Sequence, residues 1–119
     1  KASQDKILKV IIETPLLTER KVRAVTRMAL AVGVDFVKTC TGKRGECRDS
    51  DVDILSYELM RHELTFGESL GMKISGGISD KMKLMRFIEA IRKNDPEIIN
   101  GKRLRIGSSS LIENLITIE

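Results

Sequence analysis

Two lysines stand among short apolar runs: Lys38 in Val-Asp-Phe-Val-Lys-Thr-Cys-Thr-Gly and Lys73 in Gly-Met-Lys-Ile-Ser-Gly-Gly-Ile. A run such as residues 34–37 is the kind of segment that becomes a fully covered strand. An ammonium placed there is disfavoured by burial, and a second cation close by disfavours it further. A neutral amine at pH 7 is a nucleophile toward carbonyls, and a lysine lowered by a neighbouring cation is one route to a Schiff base. Gly76-Gly77, ahead of a helix starting near Ser79, forms one anion grip, because helix N-terminal amides point outward and glycine admits a phosphate to the backbone. Gly107 with Ser108, Ser109 and Ser110, also ahead of a helix, forms a second. Taken singly, each reads better as a turn or a set of helix caps. Thr41-Gly42-Lys43 adds a hydroxyl, amides and an ammonium for the same anion, although a loop lysine is also at home in solvent. Glu13, at a strand end, is suited to a general base or to balancing the lysine charges, and is read as structural.

The elements that must position these groups are four strand-like runs alternating with four helical patterns. The first run, residues 8–14, is rich in β-branched residues and stops at Pro15. Thr18 is the expected N-cap of a helix carrying one apolar stripe of Val22, Val25, Ala29 and Val32, and Gly33 supplies its left-handed stop. Residues 34–39 form the second run, followed by a polar loop to about Asp49. Ser50 or Asp51 opens a helix with Val52, Leu55 and Leu59 on one face. A turn at 67–71 leads into the third run, 72–75. Ser79 and Asp80 then open a helix bearing Leu84, Phe87, Ile88 and Ile91, which Asp95-Pro96 ends. Asn100-Gly101 makes a turn into a fourth strand at 104–106, and Leu111, Ile112, Leu115 and Ile116 mark a last helix. Residues 93–103, polar and holding both proline and glycine, are expected to be a surface insertion. This βα alternation argues for a parallel sheet whose faces are covered by helices, an α/β fold, in one domain over residues 1–119. In a barrel of that kind the functional groups lie at the carboxyl ends of strands, where this chain has Thr14, Lys38, Lys73 and Gly107.

Composition narrows the partners. The 119 residues are 41% hydrophobic and 32% charged, ordinary for a soluble domain, and no stretch approaches the ~20 apolar residues of a membrane span. The net charge of +4 suits an anionic small molecule as well as nucleic acid, but aromatics are only 3%, so the stacking platforms of single-strand binders are nearly absent. No nucleic-acid or membrane partner is expected. Cys40 and Cys47, without further cysteines and with His62 alone, do not make a zinc site. No secretory signal is read, so reduced thiols and a cytoplasmic location are expected. His62 is read as a polar position on a helix. The chain opens on Lys1 rather than Met, and an upstream segment is expected.

At the lysines the chain resembles a known family. Phe36-Val37-Lys38-Thr39-Cys40-Thr41-Gly42 is similar to the Schiff-base lysine motif of deoxyribose-phosphate aldolase, with cysteine where serine is usual. Lys73-Ile74-Ser75-Gly76-Gly77-Ile78 resembles its second-lysine motif. Residues 9–14 resemble its fifth barrel strand, and 105–110 its last strand and phosphate loop. The resemblance runs in order from about residue 7 to residue 115. It implies a class I aldolase that reversibly cleaves 2-deoxy-D-ribose 5-phosphate to acetaldehyde and glyceraldehyde 3-phosphate, with no metal or organic cofactor. It implies that Lys38 forms the carbinolamine and imine and that Lys73 holds the proton affinity of Lys38 down. Gly42, Lys43, Gly76, Gly77, Ser109 and Ser110 would hold the phosphate.

Such a barrel needs about 250 residues and eight strands. The resemblance covers only its carboxyl-terminal four, a half-barrel, and the acidic residue the family uses for proton transfer falls in the other half. A four-stranded half has two open edges that invite pairing. The expected closing partner is the missing amino-terminal half, with a second copy as the other candidate and a family-like homo-oligomer compatible with either. A different reading is a non-catalytic sugar-phosphate-binding or interaction module derived from such a barrel.

Overall fold

The computed structural model of the chain describes residues 7–41, 43, 45–75 and 81–107. Four strands, β1 (Lys9–Ile11), β2 (Phe36–Lys38), β3 (Gly71–Ser75) and β4 (Leu104–Gly107), alternate with α1 (Glu19–Val32), α2 (Asp49–Phe66) and α3 (Lys81–Asn94). The strands form one sheet in chain order, every neighbouring pair parallel. This is the parallel α/β sheet that the alternation predicts, except that the described helices cover one of its faces and not both. The last predicted helix, and the Ser79–Asp80 opening of the third, lie outside the described residues.

Strand side chains alternate between faces. Val37, Met72 and Ile74 turn to the helices and are fully buried. There they meet Val22 and Leu30 of α1, Val52, Leu55 and Leu59 of α2, and Leu84, Phe87 and Ile91 of α3. The opposite parity carries Lys9, Ile11, Phe36, Lys38, Lys73 and Arg105, and no described helix covers it.

Helix boundaries follow local chemistry. The Thr18 hydroxyl accepts from the Lys21 amide at 3.3 Å, and Gly33 ends α1 at φ 100°. Helix α2 starts one residue before the earlier of its two expected openings, because Arg48 caps it. The Arg48 amide donates to the Asp51 carboxylate at 2.9 Å, while its guanidinium reaches that carboxylate and the Thr14 and Leu17 carbonyls.

Three further expectations need correcting. Helix α1 buries Val22, Thr26 and Leu30, whereas Val25 and Val32 are exposed. At 3.6 residues per turn those two sit between a quarter and a third of a turn from the core direction. The first strand ends at Ile11, since Glu13 adopts a left-handed backbone (φ 61°, ψ 52°) and residues 14–16 form a 3-10 turn. Residues 93–103 are not a mere surface insertion. Ile98 is fully buried, and Arg103 donates to the Leu70 carbonyl at 2.9 Å while pairing with Glu63 at 3.1 Å. His62 lies on α2, as expected, and is buried there, its Nε2 2.9 Å from Glu68 and its ring against Phe66.

Helices α1 and α2 are also joined by charge. Glu58, fully buried on α2, accepts from Arg23 at 2.8 Å and from Arg27 at 2.9 Å. Burial alone would raise its pKa, but the hydrogen bonds from Arg27 and Arg23 prevail and hold it below 4.5. A carboxylate lowered in the folded state stabilises fully above its unfolded value and loses that contribution as pH falls through the folded value. Stability should therefore decline below about pH 4.5, and Glu58→Gln should flatten that decline. Urea unfolding between pH 3 and 6 checks this, and an unchanged slope in the variant would contradict it. Leu55→Ala, in the apolar layer, should cost about 2–5 kcal/mol in the same assay at neutral pH.

Candidate active site

Lys38, the last residue of β2, is the direct register partner of Lys73 at the centre of β3, and Lys73 in turn partners Arg105 on β4. Parallel strands lie about 4.8 Å apart, so the register sets Lys38, Lys73 and Arg105 in one row on the uncovered face. Lys9 lies one level below, opposite Phe36. The Lys73 amine is pushed below 10.5 by burial first, then by the charges of Lys38, Lys9 and Arg105.

The floor under this row is made by close approach. Phe36 lies over Gly71 so tightly that a Cβ there would fall 2.5 Å from its ring. The Arg105 guanidinium covers the same ring, 4.3 Å from its centroid, a cation–π contact that turns this cation onto the floor. The Lys73 stem crosses Gly107, where a Cβ would come within 2.9 Å of Lys73 Cε and 3.1 Å of Ser75 Oγ. That contact provides part of the burial that lowers the amine.

Hydrogen bonds tie the carboxyl ends of the strands together. The Thr39 hydroxyl donates to the Ser75 carbonyl at 2.8 Å and accepts from the Ser75 amide at 3.0 Å. Cys40 Sγ donates to the same carbonyl at 3.1 Å. Thr41 is bound to Glu13: its amide donates at 2.9 Å, and its hydroxyl lies 3.2 Å from each carboxylate oxygen. The Lys43 amide donates to the Thr41 hydroxyl at 3.3 Å. Cys47 is buried, which pushes its thiol up to about 12, and neither cysteine forms a disulfide.

Of the residues singled out from sequence, Lys38 and Lys73 come together on one face, and Lys43 is exposed in the loop after β2. Gly42, Gly76, Gly77, Ser109 and Ser110 lie outside the described residues. Sequence reasoning passed over Lys9 and Arg105. Their signal was parity, since each is a cation inside an apolar strand run at the alternation that Lys38 and Lys73 share. Among the described residues no cluster of three or more His, Cys, Asp or Glu could hold a metal, and no helix is long and apolar enough to cross a membrane.

Comparison with known proteins bears on this arrangement. No protein-family model matches the chain. It is 44% identical over 114 residues to deoxyribose-phosphate aldolase of Clostridium botulinum (strain 657 / Type Ba4), covering 94% of this chain and 45% of the relative. It is 37% identical over 116 residues to the aldolase of that name from Mycoplasmoides pirum, covering 95% and 45%. By sequence, the chain belongs to the deoxyribose-phosphate aldolase family. It spans less than half the length of these family members. Among solved structures, QR15, an aldolase, superposes with a TM-score of 0.56 at 24% identity over 93% of this chain and 46% of its own. A rubisco-like protein from Burkholderia fungorum superposes at 0.62 with 19% identity, over 98% and 30%. At such identities these two speak to the fold alone, and both match the chain as part of a larger protein.

The charge row yields a direct check. Lys38→Met removes the cation with the largest effect among those acting on Lys73, so the Lys73 pKa should rise toward 10.5 without reaching it, burial being the larger cause. NMR titration of the lysine side-chain resonances measures this. A Lys73 titration that does not move would mean the two amines do not sense each other.

Proposed function

We propose that the chain is the carboxyl-terminal half of a class I aldolase barrel that reversibly cleaves 2-deoxy-D-ribose 5-phosphate to acetaldehyde and D-glyceraldehyde 3-phosphate. The observation that carries the reading is the pair of lysines at one register level, with the Lys73 amine lowered by burial and by Lys38. The family relationship supports it.

In this reading the Lys38 amine adds to the C1 aldehyde of the open-chain sugar and water leaves, giving a protonated imine. The C2–C3 bond then breaks. Its electrons flow into the imine to form an enamine, and the C3 hydroxyl gives up its proton as glyceraldehyde 3-phosphate departs. Protonation at C2 and hydrolysis release acetaldehyde and restore the amine. The imine nitrogen is the electron sink, so the chemistry calls for no metal or organic cofactor. Lys73, beside it and itself lowered by burial and then by the Lys38 charge, supplies a weakly held proton to the network. The substrate phosphate is assigned to Gly42, Lys43, Gly76, Gly77, Ser109 and Ser110.

The proton acceptor at the C3 hydroxyl is taken to come from outside this chain. The closing partner is taken as the other half of the barrel rather than a second copy. Two copies of a face bearing Lys9, Lys38, Lys73 and Arg105 would set like charges against one another. Location in the cytoplasm belongs to the same reading.

Borohydride reduction of the native gene product with acetaldehyde, followed by peptide mass analysis, should place an ethyl group on Lys38. An adduct on Lys73 instead would transfer the nucleophile to the second lysine, and absence of both would end the Schiff-base reading. The chain alone should show little or no cleavage of 2-deoxyribose 5-phosphate, with turnover restored once the other half is present. Failure of restoration would favour the non-catalytic module.

A further inference from the structure

The ladder between β1 and β2 continues beyond the strands, but unevenly. The Ile12 amide donates to the Lys38 carbonyl and the Thr14 amide to the Thr39 carbonyl, both at 2.9 Å. Residues two apart on one side thus meet consecutive residues on the other, and Glu13 is the extra residue of a bulge. Its φ of 61° is the only positive value at a non-glycine among the described residues. Bulges beside sites re-aim side chains, and left-handed backbone at a bulky residue persists only where its surroundings enforce it. In a regular strand Glu13 would share the parity of Ile11 and Lys9. The kink instead brings its carboxylate to Thr41, whose amide and hydroxyl it binds, and that hydroxyl receives the Lys43 amide.

We propose that Glu13 is a positioning residue, holding Thr41 and, through it, the backbone of Lys43 in the conformation that receives the substrate's phosphate. The inference rests on the assignment of Lys43 to that phosphate. Considered only as a charge, Glu13 opposes the role, because a carboxylate near an anion weakens binding. Its benefit lies in fixing the segment before the anion arrives, so that ordering is not left to the moment of binding. The two contributions have opposite signs and can be separated.

The test uses calorimetric titration of the full-length gene product with inorganic phosphate, with urea midpoints measured alongside. Glu13→Ala should weaken phosphate binding about tenfold, the scale of losing a charge-assisted hydrogen-bonded pair. Glu13→Gln keeps an acceptor for the Thr41 amide, removes the charge, and should bind phosphate as tightly as the parent or more so. Thr41→Val keeps the amide bond but loses the hydroxyl relay, and should weaken binding even if Glu13→Ala proves too unstable to titrate. Combined with Glu13→Ala it should add little. Binding in Glu13→Ala that equals or exceeds the parent's would overturn the proposal, as would a parent without saturable phosphate binding. Acetaldehyde trapping at Lys38 in the parent needs no phosphate and reports on the aldolase reading separately. Lost trapping with the phosphate pattern intact would sink the reaction and leave Glu13 in its role.

Discussion

The register between β2 and β3 is the constraint on which the rest of the molecule depends. Pairing Lys38 with Lys73 places both amines on the uncovered face only because Val37, Met72 and Ile74, at the opposite parity, are fully buried against the helices. Slipping one strand by a single residue would exchange its faces. A lysine would then enter a layer containing Leu55, Leu59 and Phe87, where an unpaired charge is far costlier than any apolar group. Apolar packing on one side of the sheet therefore specifies the row of cations on the other.

That register fixes where side chains start, and the links at the strand ends fix where the chain goes next. Thr39 and Cys40 join the end of β2 to Ser75 at the end of β3. Glu13 joins the end of β1 to Thr41. Gly107 lets Lys73 and Ser75 lie against β4. The Thr39 hydroxyl acts as both donor and acceptor on the Ser75 peptide, a buried arrangement in which each bond contributes about 1 kcal/mol and an unmade one costs more. A thiol at Cys40 keeps the contact that a serine hydroxyl would make there, as a weaker donor. Loops leaving such a belt begin from fixed points even where they are long.

Much of this was legible in the sequence because it depends on local pattern. Alternating β-branched runs and helical stripes gave the βα order, Thr18 and Gly33 marked the ends of α1, and Val52, Leu55 and Leu59 marked the buried face of α2. The two lysines stood out because charge inside an apolar run is rare. What escaped depends on contacts between distant residues. The bulge at Glu13 goes with a contact between its carboxylate and Thr41, 28 positions later. Arg103 is buried because Glu63 and the Leu70 carbonyl receive it. The floor of Phe36, Gly71 and Arg105 draws on three strands, and no window of sequence contains it. On α1 the apolar stripe was misplaced because Val25 and Val32 carry the same hydrophobic signal as the residues that reach the sheet.

The lowered Lys73 amine has an energetic consequence that follows from sign alone. Between its folded value and 10.5 the unfolded chain binds more protons than the folded one, so stability rises with pH across that window. Below the folded value the cost of holding a charged Lys73 is present in full. The larger cause is burial rather than repulsion, and part of that burial arises where the lysine stem crosses Gly107. The amine's readiness to give up a proton is therefore mainly a packing property, tuned further by three cations in reach. A surface pair of lysines at the same spacing would have the repulsion without the desolvation, and would keep its protons more tightly. Setting the pair inside a sheet costs stability that the helix-side core must offset, which is why the apolar layer and the cationic face cannot be understood separately.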